Sequence, residues 1–275
     1  MEIELAKYNH KVNDLYNLEK TLYRQGDILC LLGWRLAQAG AESRLVINSL
    51  TRMAKVFALD NVEFFLTRSN MSVIVTYGEQ QFLFSRKIEN FGINMSQVSA
   101  LYNIFLRVIT GKLLDLKTIR EEILNVKAPT YNKLLLVFIE AFAASAFAYL
   151  NGGNFYVCFS ALCGGLVLMA VRFRLISLGF YETFSFMASA FLGCSISFVL
   201  SHVILNASPQ DIKLAVMATT LLLVPGYPIM NGFLDIFKGY IETGVFRLIQ
   251  AFILTMAAAT GLLGALYMLG YFVNV

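Results

Sequence analysis

Charge is scarce in this sequence. Asp, Glu, Lys and Arg make up 15% of its 275 residues, against 57% hydrophobic residues and a mean hydropathy of +0.64. Ordinary soluble domains are about 25% charged, so the composition argues against a purely water-soluble protein and excludes a disordered one. Cysteine and histidine are scarce too, at four and two. There is no Cys-x-x-Cys pair and no cluster with zinc spacing, so neither a metal centre nor a disulfide framework is expected. The cysteines read as small buried side chains in a reducing compartment. The opening residues Met1-Glu2-Ile3-Glu4-Leu5 include acids and no apolar stretch. A cleaved signal peptide is therefore not expected, and the N-terminal half should stay where it is synthesised.

What charge there is lies unevenly. Residues 1–133 hold 30 of the 40 charged side chains, and residues 134–275 hold ten, five of each sign. This division predicts an α+β cytoplasmic domain over 1–130 and an all-α membrane domain of five transmembrane helices over 131–275. Apolar runs of about 17–25 residues can cross a bilayer, and five occur: 134–150, 155–171, 183–205, 212–232 and 247–272. Arg172 and Arg174 are expected to stop the second. Placing residues 1–133 in the cytoplasm also places the Arg172/Arg174 turn and the Lys238–Arg247 loop there. The opposite loops, 151–154 and 206–211, have no Lys or Arg. The N-terminus is then inside and the tail Asn274-Val275 outside, as the positive-inside rule requires. Alanines and glycines throughout the spans suit close helix packing in lipid.

The fourth span carries Leu221-Leu222-Leu223-Val224-Pro225-Gly226-Tyr227-Pro228. Pro225 and Pro228 each remove a helix donor and clash with the preceding turn, and Gly226 adds slack. The carbonyls of Leu221 and Val224 are expected to lose their partners, a state tolerated at membrane depth only inside protein or beside a wet cavity. Broken helices of this kind build the sites of secondary transporters. Asn231 and Asp235 would share a face if the helix resumes. Glu140 lies well inside the first span, where a charge costs roughly 2.5–3.5 kcal/mol or more, so it is a candidate proton-coupling carboxylate. Glu182 and Arg247 are read as snorkelling span ends, and His202 as an interfacial residue.

In the first half, Leu15, Leu18, Leu22, Leu29, Leu32 and Leu36 predict an amphipathic helix over 14–39. Ala39-Gly40-Ala41 breaks it, and Val46, Leu50, Met53 and Phe57 start a second. Alternating runs at 62–67, 71–77 and 81–86 predict an antiparallel meander, with helices at 95–110 and 115–126 beyond it. No phosphate loop, dinucleotide fingerprint or hydrolase elbow occurs, so ATP-driven transport is disfavoured and no cofactor is expected. No basic stripe points to nucleic acid. A hydrolase-like or regulatory domain, with Glu42, Ser43 or His10 as weak candidates in a non-transporting assembly or sensor, is the alternative reading.

The segments Ala39-Gly40-Ala41-Glu42-Ser43, Tyr149-Leu150-Asn151-Gly152-Gly153 and Leu223-Val224-Pro225-Gly226-Tyr227-Pro228 resemble motifs of the threonine/serine exporter family. Thr67, Asn231-Gly232, Asp235, Gly244, Arg247 and Ala251 continue the likeness, which matches the longer subunit of the family's split bacterial form. One departure is Arg44-Leu45-Val46-Ile47-Asn48, where the family places its arginine at the position of Leu45. The resemblance implies a proton-driven secondary transporter in the bacterial inner membrane, not an enzyme. It implies export of threonine or serine, or of a dicarboxylate such as succinate, and hetero-oligomerisation with a second small membrane subunit. The near-absence of Lys and Arg inside the spans tilts the reading towards a zwitterion. In this reading Pro225, Gly226, Pro228, Asn231, Asp235, Gly152 and Gly153 line the translocation path, Glu140 carries the proton, and Gly40 and Glu42 form the cytoplasmic motif.

Overall fold

The computed structural model describes residues 2–59, 61–88, 92–127, 129 and 131–273, with side chains described over 17–269 within that set. The chain divides into two compact units: Met1–Pro129 with Asn231–Phe246, and Thr130–Met230 with Arg247–Val275.

The first unit is α+β. Helix α1 (Glu2–Gln38) is followed by α2 (Ser43–Val56), a meander of β1 (Asn61–Leu66), β2 (Asn70–Tyr77) and β3 (Gln80–Lys87), then α3 (Met95–Ile109) and α4 (Leu116–Asn125). The sheet is antiparallel in the order β1-β2-β3, with Val73 opposite both Phe64 and Phe84. Alternation puts Met71, Val73 and Val75 on one face of β2. They pack in one core with Leu29, Leu32 and Leu36 of α1, Leu50 and Met53 of α2, Leu101 and Phe105 of α3, and Ile119 and Ile123 of α4. Side chains cap the starts of α3 and α4: Asn94 accepts from Gln97 N and Asp115 from Thr118 N.

The second unit is helical: α5 (Lys133–Leu150), α6 (Phe155–Ser177), α7 (Glu182–Val199) ending in a π turn (Leu200–Ile204), and α8 (Pro209–Thr220) ending in a 3-10 turn (Leu221–Leu223). Two further helices, α9 (Gly226–Phe237) and α10 (Ile241–Val273), belong partly to each unit. Among the described residues, four helices are long and apolar enough to cross a membrane. The α8–α9 pair, bent by 56°, makes a fifth if it counts as one span.

Four details differ from the sequence reading. Arg172 and Arg174 do not stop the second span, since α6 runs on to Ser177. Arginine is a good helix former and ends a hydrophobic run without ending a helix. The fifth helix starts at Ile241, so Arg247 lies inside it and is only 3% exposed, which rules out snorkelling. The carbonyls at the proline break are not orphaned either: Leu221 O accepts from Val224 N, and Val224 O from Gly226 N. The chain tightens into 3-10 and γ turns that satisfy them. Pro228, finally, lies in the first turn of α9, where its missing N–H would have had no helical partner, so Pro225 marks the break. The tail Asn274-Val275 lies outside the described residues.

Candidate functional site

Both segments that stand out in the sequence meet in the α+β unit. Helix α1 ends at a glycine: Gly40 takes φ +86°, its N–H donates to Ala37 O, and Ala41 N–H donates to Leu36 O. This is the reciprocal pair of bonds that closes a helix through a left-handed residue. A side chain at Gly40 would be strained there and would bring its Cβ within 2.9 Å of Gly92 O. The turn delivers Glu42 to the N-cap of α2, yet the Glu42 side chain makes no capping bond.

Asp235 supplies that cap from 192 residues away. Ser43 N–H donates to its Oδ1 at 3.1 Å, and Ser43 Oγ–H donates to its Oδ2 at 2.9 Å, with both residues fully buried. A carboxylate on the first N–H groups of a helix satisfies donors that have no partner inside the helix and complements the helix dipole. Asn231 Nδ2 donates to Gly40 O at 3.3 Å, and Lys238 Nζ donates to Glu42 Oε1 at 2.5 Å. Asn231, Asp235 and Lys238 follow at i, i+4 and i+7, so one face of α9 holds the whole 40–43 turn. Thr243 Oγ1 donates to Leu66 O at 3.3 Å. Gly244 lets the start of α10 close on α9, since a Cβ there would stand 2.6 Å from Gly232 O. Beside this cluster, burial pushes the Tyr240 phenol up; Arg44 opposes the shift, and Asp235 and Glu42 add to it.

Among the sequence candidates, Gly40, Glu42, Asn231 and Asp235 are thus brought together, while Pro225, Gly226, Pro228, Gly152, Gly153 and Glu140 belong to the helical unit. Gly152, at φ +86°, makes the turn after α5. Glu140 is half-buried on α5 within electrostatic reach of Arg172, which also lies 3.9 Å from Glu182 and 4.4 Å from the Phe186 ring centroid. With Arg172 partly and Arg247 almost wholly buried, the helical unit does hold basic groups. The tilt towards a zwitterion therefore loses its basis. His202 packs on Phe198, ring centroids 5.6 Å apart. Of the three hydrolase candidates, Ser43 is buried with its hydroxyl committed to Asp235, Glu42 is paired with Lys238, and the His10 side chain lies outside the described residues. Lys238 and Thr243 were missed in the sequence, although the Asn231, Asp235, Lys238 spacing was there to be read.

The sequence pattern described as "Putative threonine/serine exporter" matches residues 27–269. The chain belongs to the threonine/serine exporter family. Exporters of this family are transporters, and the apolar helices make this member a multi-pass membrane protein. A Klebsiella aerogenes protein named "Probable succinate transporter subunit YjjP" is 33% identical over 236 residues, covering 86% of this chain and 90% of its own. An Escherichia coli K12 protein of the same name is 31% identical over 244 residues, covering 88% and 94%. An uncharacterised Haemophilus influenzae protein is 29% identical over 170 residues, covering 61% of this chain and 57% of its own. No solved structure matches. The exporter motifs Ala39-Gly40-Ala41-Glu42-Ser43 and Asn231-Gly232 with Asp235 are the two sides of the Asp235 cap.

Proposed function

We propose that this chain is one subunit of a proton-driven secondary transporter in the bacterial inner membrane. It exports a small carboxylate-bearing metabolite, threonine or serine, or a dicarboxylate such as succinate, together with a second small membrane subunit. The observation that carries the reading is the 56° break at Pro225 in an exporter-family chain. Where two half-helices meet, the regular helical ladder gives way to tight turns, and broken helices of this kind build the substrate sites of secondary transporters. Pro225, Gly226 and Pro228 shape that site, and Gly152 and Gly153 shape the turn at the end of α5. The relatives named as transporter subunits favour a partner, and an odd number of spans suits one half of a two-part path.

Glu140 carries the proton in this reading. Its electrostatic neighbour Arg172 gives the coupling a physical form. In this reading ionised Glu140 offsets part of the guanidinium charge from a distance, and a neutral Glu140 leaves more of it for a substrate carboxylate. The basic residues of the first half favour a cytoplasmic N-terminus by the positive-inside rule. Asn231 and Asp235, which continue α9 beyond the break, tie the motor end of that helix to Gly40 and Ser43.

The deciding experiment co-reconstitutes the chain with its partner subunit in proteoliposomes and follows labelled succinate and threonine. Transport of either, driven by a pH gradient and lost with Pro225→Leu, is expected. Glu140→Gln should abolish the pH dependence. Unchanged pH dependence in that variant would remove Glu140 from the mechanism, and transport by the chain alone would remove the partner.

A further inference from the structure

A second cavity lies wholly within the α+β unit, and the transport reading does not use it. It has a volume of about 500 Å³ and is lined on one side by α2, with Arg44, Asn48 and Arg52, and on the other by Tyr102 of α3, with Lys238 and Glu42 at its end. Arg44, Asn48 and Arg52 recur every four residues, so they form one stripe along the helix, with the arginines about 12 Å apart along the axis. Three cations face one carboxylate here, and that carboxylate, Glu42, is already held by Lys238. Neither Arg44 nor Arg52 has a carboxylate partner among the described residues, and neither the Asn48 amide nor the Tyr102 hydroxyl has a hydrogen-bond partner among them. Arg52 is held in place by the Phe105 ring, 5.6 Å from its centroid.

The contrast with the neighbouring cavity is informative. That one, about 780 Å³, is lined by the cations Lys20, Arg24, Arg86 and Arg120 and by the acids Glu19 and Asp27. Arg86 and Arg120 are both committed to Asp27 there. Two arginines of that cavity are thereby paired, whereas neither arginine along α2 has a carboxylate among the described residues. Guanidinium groups without a carboxylate partner, beside solvent-facing neutral donors, suit an anion, because a guanidinium matches carboxylate and phosphate geometry in a bidentate fork.

We propose that this cavity binds a small dianion, a dicarboxylate or a phosphate, between Arg44 and Arg52, with Asn48 and Tyr102 donating to its middle. Lys238 lines the same cavity and holds Glu42, the residue that precedes the Asp235-capped N-terminus of α2. An anion at the Arg44 end therefore competes with Glu42 for Lys238 and loosens one of the bonds that hold α9 to the 40–43 turn. The site stands whether or not the chain exports.

The test uses the purified full-length chain in detergent at low salt, with succinate, inorganic phosphate and threonine as probes. Affinity is read by calorimetry and location by hydrogen exchange. Succinate or phosphate is expected to protect amides of residues 43–52 and to raise exchange at residues 238–242. R44Q and R52Q should each weaken binding at least tenfold, while the charge-keeping R44K and R52K should lose less. Both arginines are exposed, so the variants keep the fold, and the unchanged exchange of Leu29 and Leu32 verifies this. Protection by one dianion and not the other identifies which ligand the site takes. Three results would overturn the site: no binding of either dianion at 10 mM (roughly −2.7 kcal/mol), binding without protection at α2, or threonine binding as tightly as the dianions.

Discussion

Phe105, Leu29, Leu32, Leu50 and Ile123 fill the interior of the α+β unit, while the interior of the helical unit mixes Leu168, Met169 and Phe186 with many small residues, Ala141, Ala144, Ser160, Ser189 and Ala190 among them. Other large residues of the helical unit, Phe142, Phe155, Phe252 and Tyr267 among them, point outwards. The helical unit thus admits far more small residues to its interior and turns more large ones outwards, and the solvents explain why. In water, burying apolar area is worth roughly 25 cal/mol per Å², so large side chains go inside. In hydrocarbon that gain disappears, and helices associate through close backbone approach, which small residues permit. Gly164 shows the closeness: a Cβ there would stand 2.8 Å from both Ser197 Cβ and Thr219 Oγ1.

The largest effect that should separate the units is truncation of a buried aromatic. Phe105→Ala should destabilise the α+β unit by about 3–5 kcal/mol, read as a fall in the denaturation midpoint of the full-length chain in detergent. Phe142→Ala, the same change on the outer face of the helical unit, should leave the midpoint where it was. Equal losses from both would end the contrast. The opposite change sharpens it: Gly164→Val should cost the helical unit about 1–3 kcal/mol by forcing helices apart, visible as lowered thermal stability. Gly226→Ala is the control, because no atom lies within 4 Å of the added Cβ. Its stability should hold or rise slightly, by up to ~1 kcal/mol.

Next in size is the Asp235 cap, where the α+β unit relies on polar burial that its apolar core does not need. Asp235→Asn keeps the shape but replaces two bonds to a carboxylate by weaker neutral ones, so a loss of about 1–2 kcal/mol is expected. Ser43→Ala should cost about 1 kcal/mol. A double-mutant cycle measures their coupling, which should be clearly non-additive; additivity would mean that the 2.9 Å hydroxyl bond contributes nothing.

Much of this architecture is legible in the sequence because it follows from periodicity. The alternation of Met71, Val73 and Val75 locates β2, and the glycine at 40 ends α1 within a residue of its predicted end. What periodicity cannot supply is pairing between distant segments. Asp235 looks like a residue of the membrane path because it follows the Pro225 motif, and only the fold brings it to Ser43. Arg247 misleads for a related reason: a charge at the edge of an apolar run reads as a helix end, although an isolated arginine continues a helix well. The carbonyls at Leu221 and Val224 illustrate a third limit, since a local shift of hydrogen-bond register repairs a break whose cost the sequence alone overstates. Of the candidate site residues, the four that converge on the 40–43 turn carry adjacent or helical spacings, yet no spacing links Gly40 to Asn231.

The smallest expected effect concerns acid, and it belongs to the α+β unit. Burial pushes the Asp27 carboxyl up, but hydrogen bonds from Arg120 at 2.9 Å and Arg86 at 2.6 Å, with the charges of both, hold it below the ordinary carboxylate value. The folded state therefore binds this proton less readily than the unfolded chain, whose Asp titrates near about 3.9. The resulting stabilisation is complete above that value and is lost as pH falls through it towards the lower folded pKa. Chemical denaturation at steps between about pH 5 and pH 2 should show the wild-type midpoint falling more steeply than that of Asp27→Asn, which has no proton to take up there. At neutral pH the order reverses in the other sense, with Asp27→Asn less stable because both arginines lose their counter-charge. Parallel curves for the two proteins would mean that the Arg86–Asp27–Arg120 group is a surface arrangement with no net effect, as many partly exposed ion pairs are.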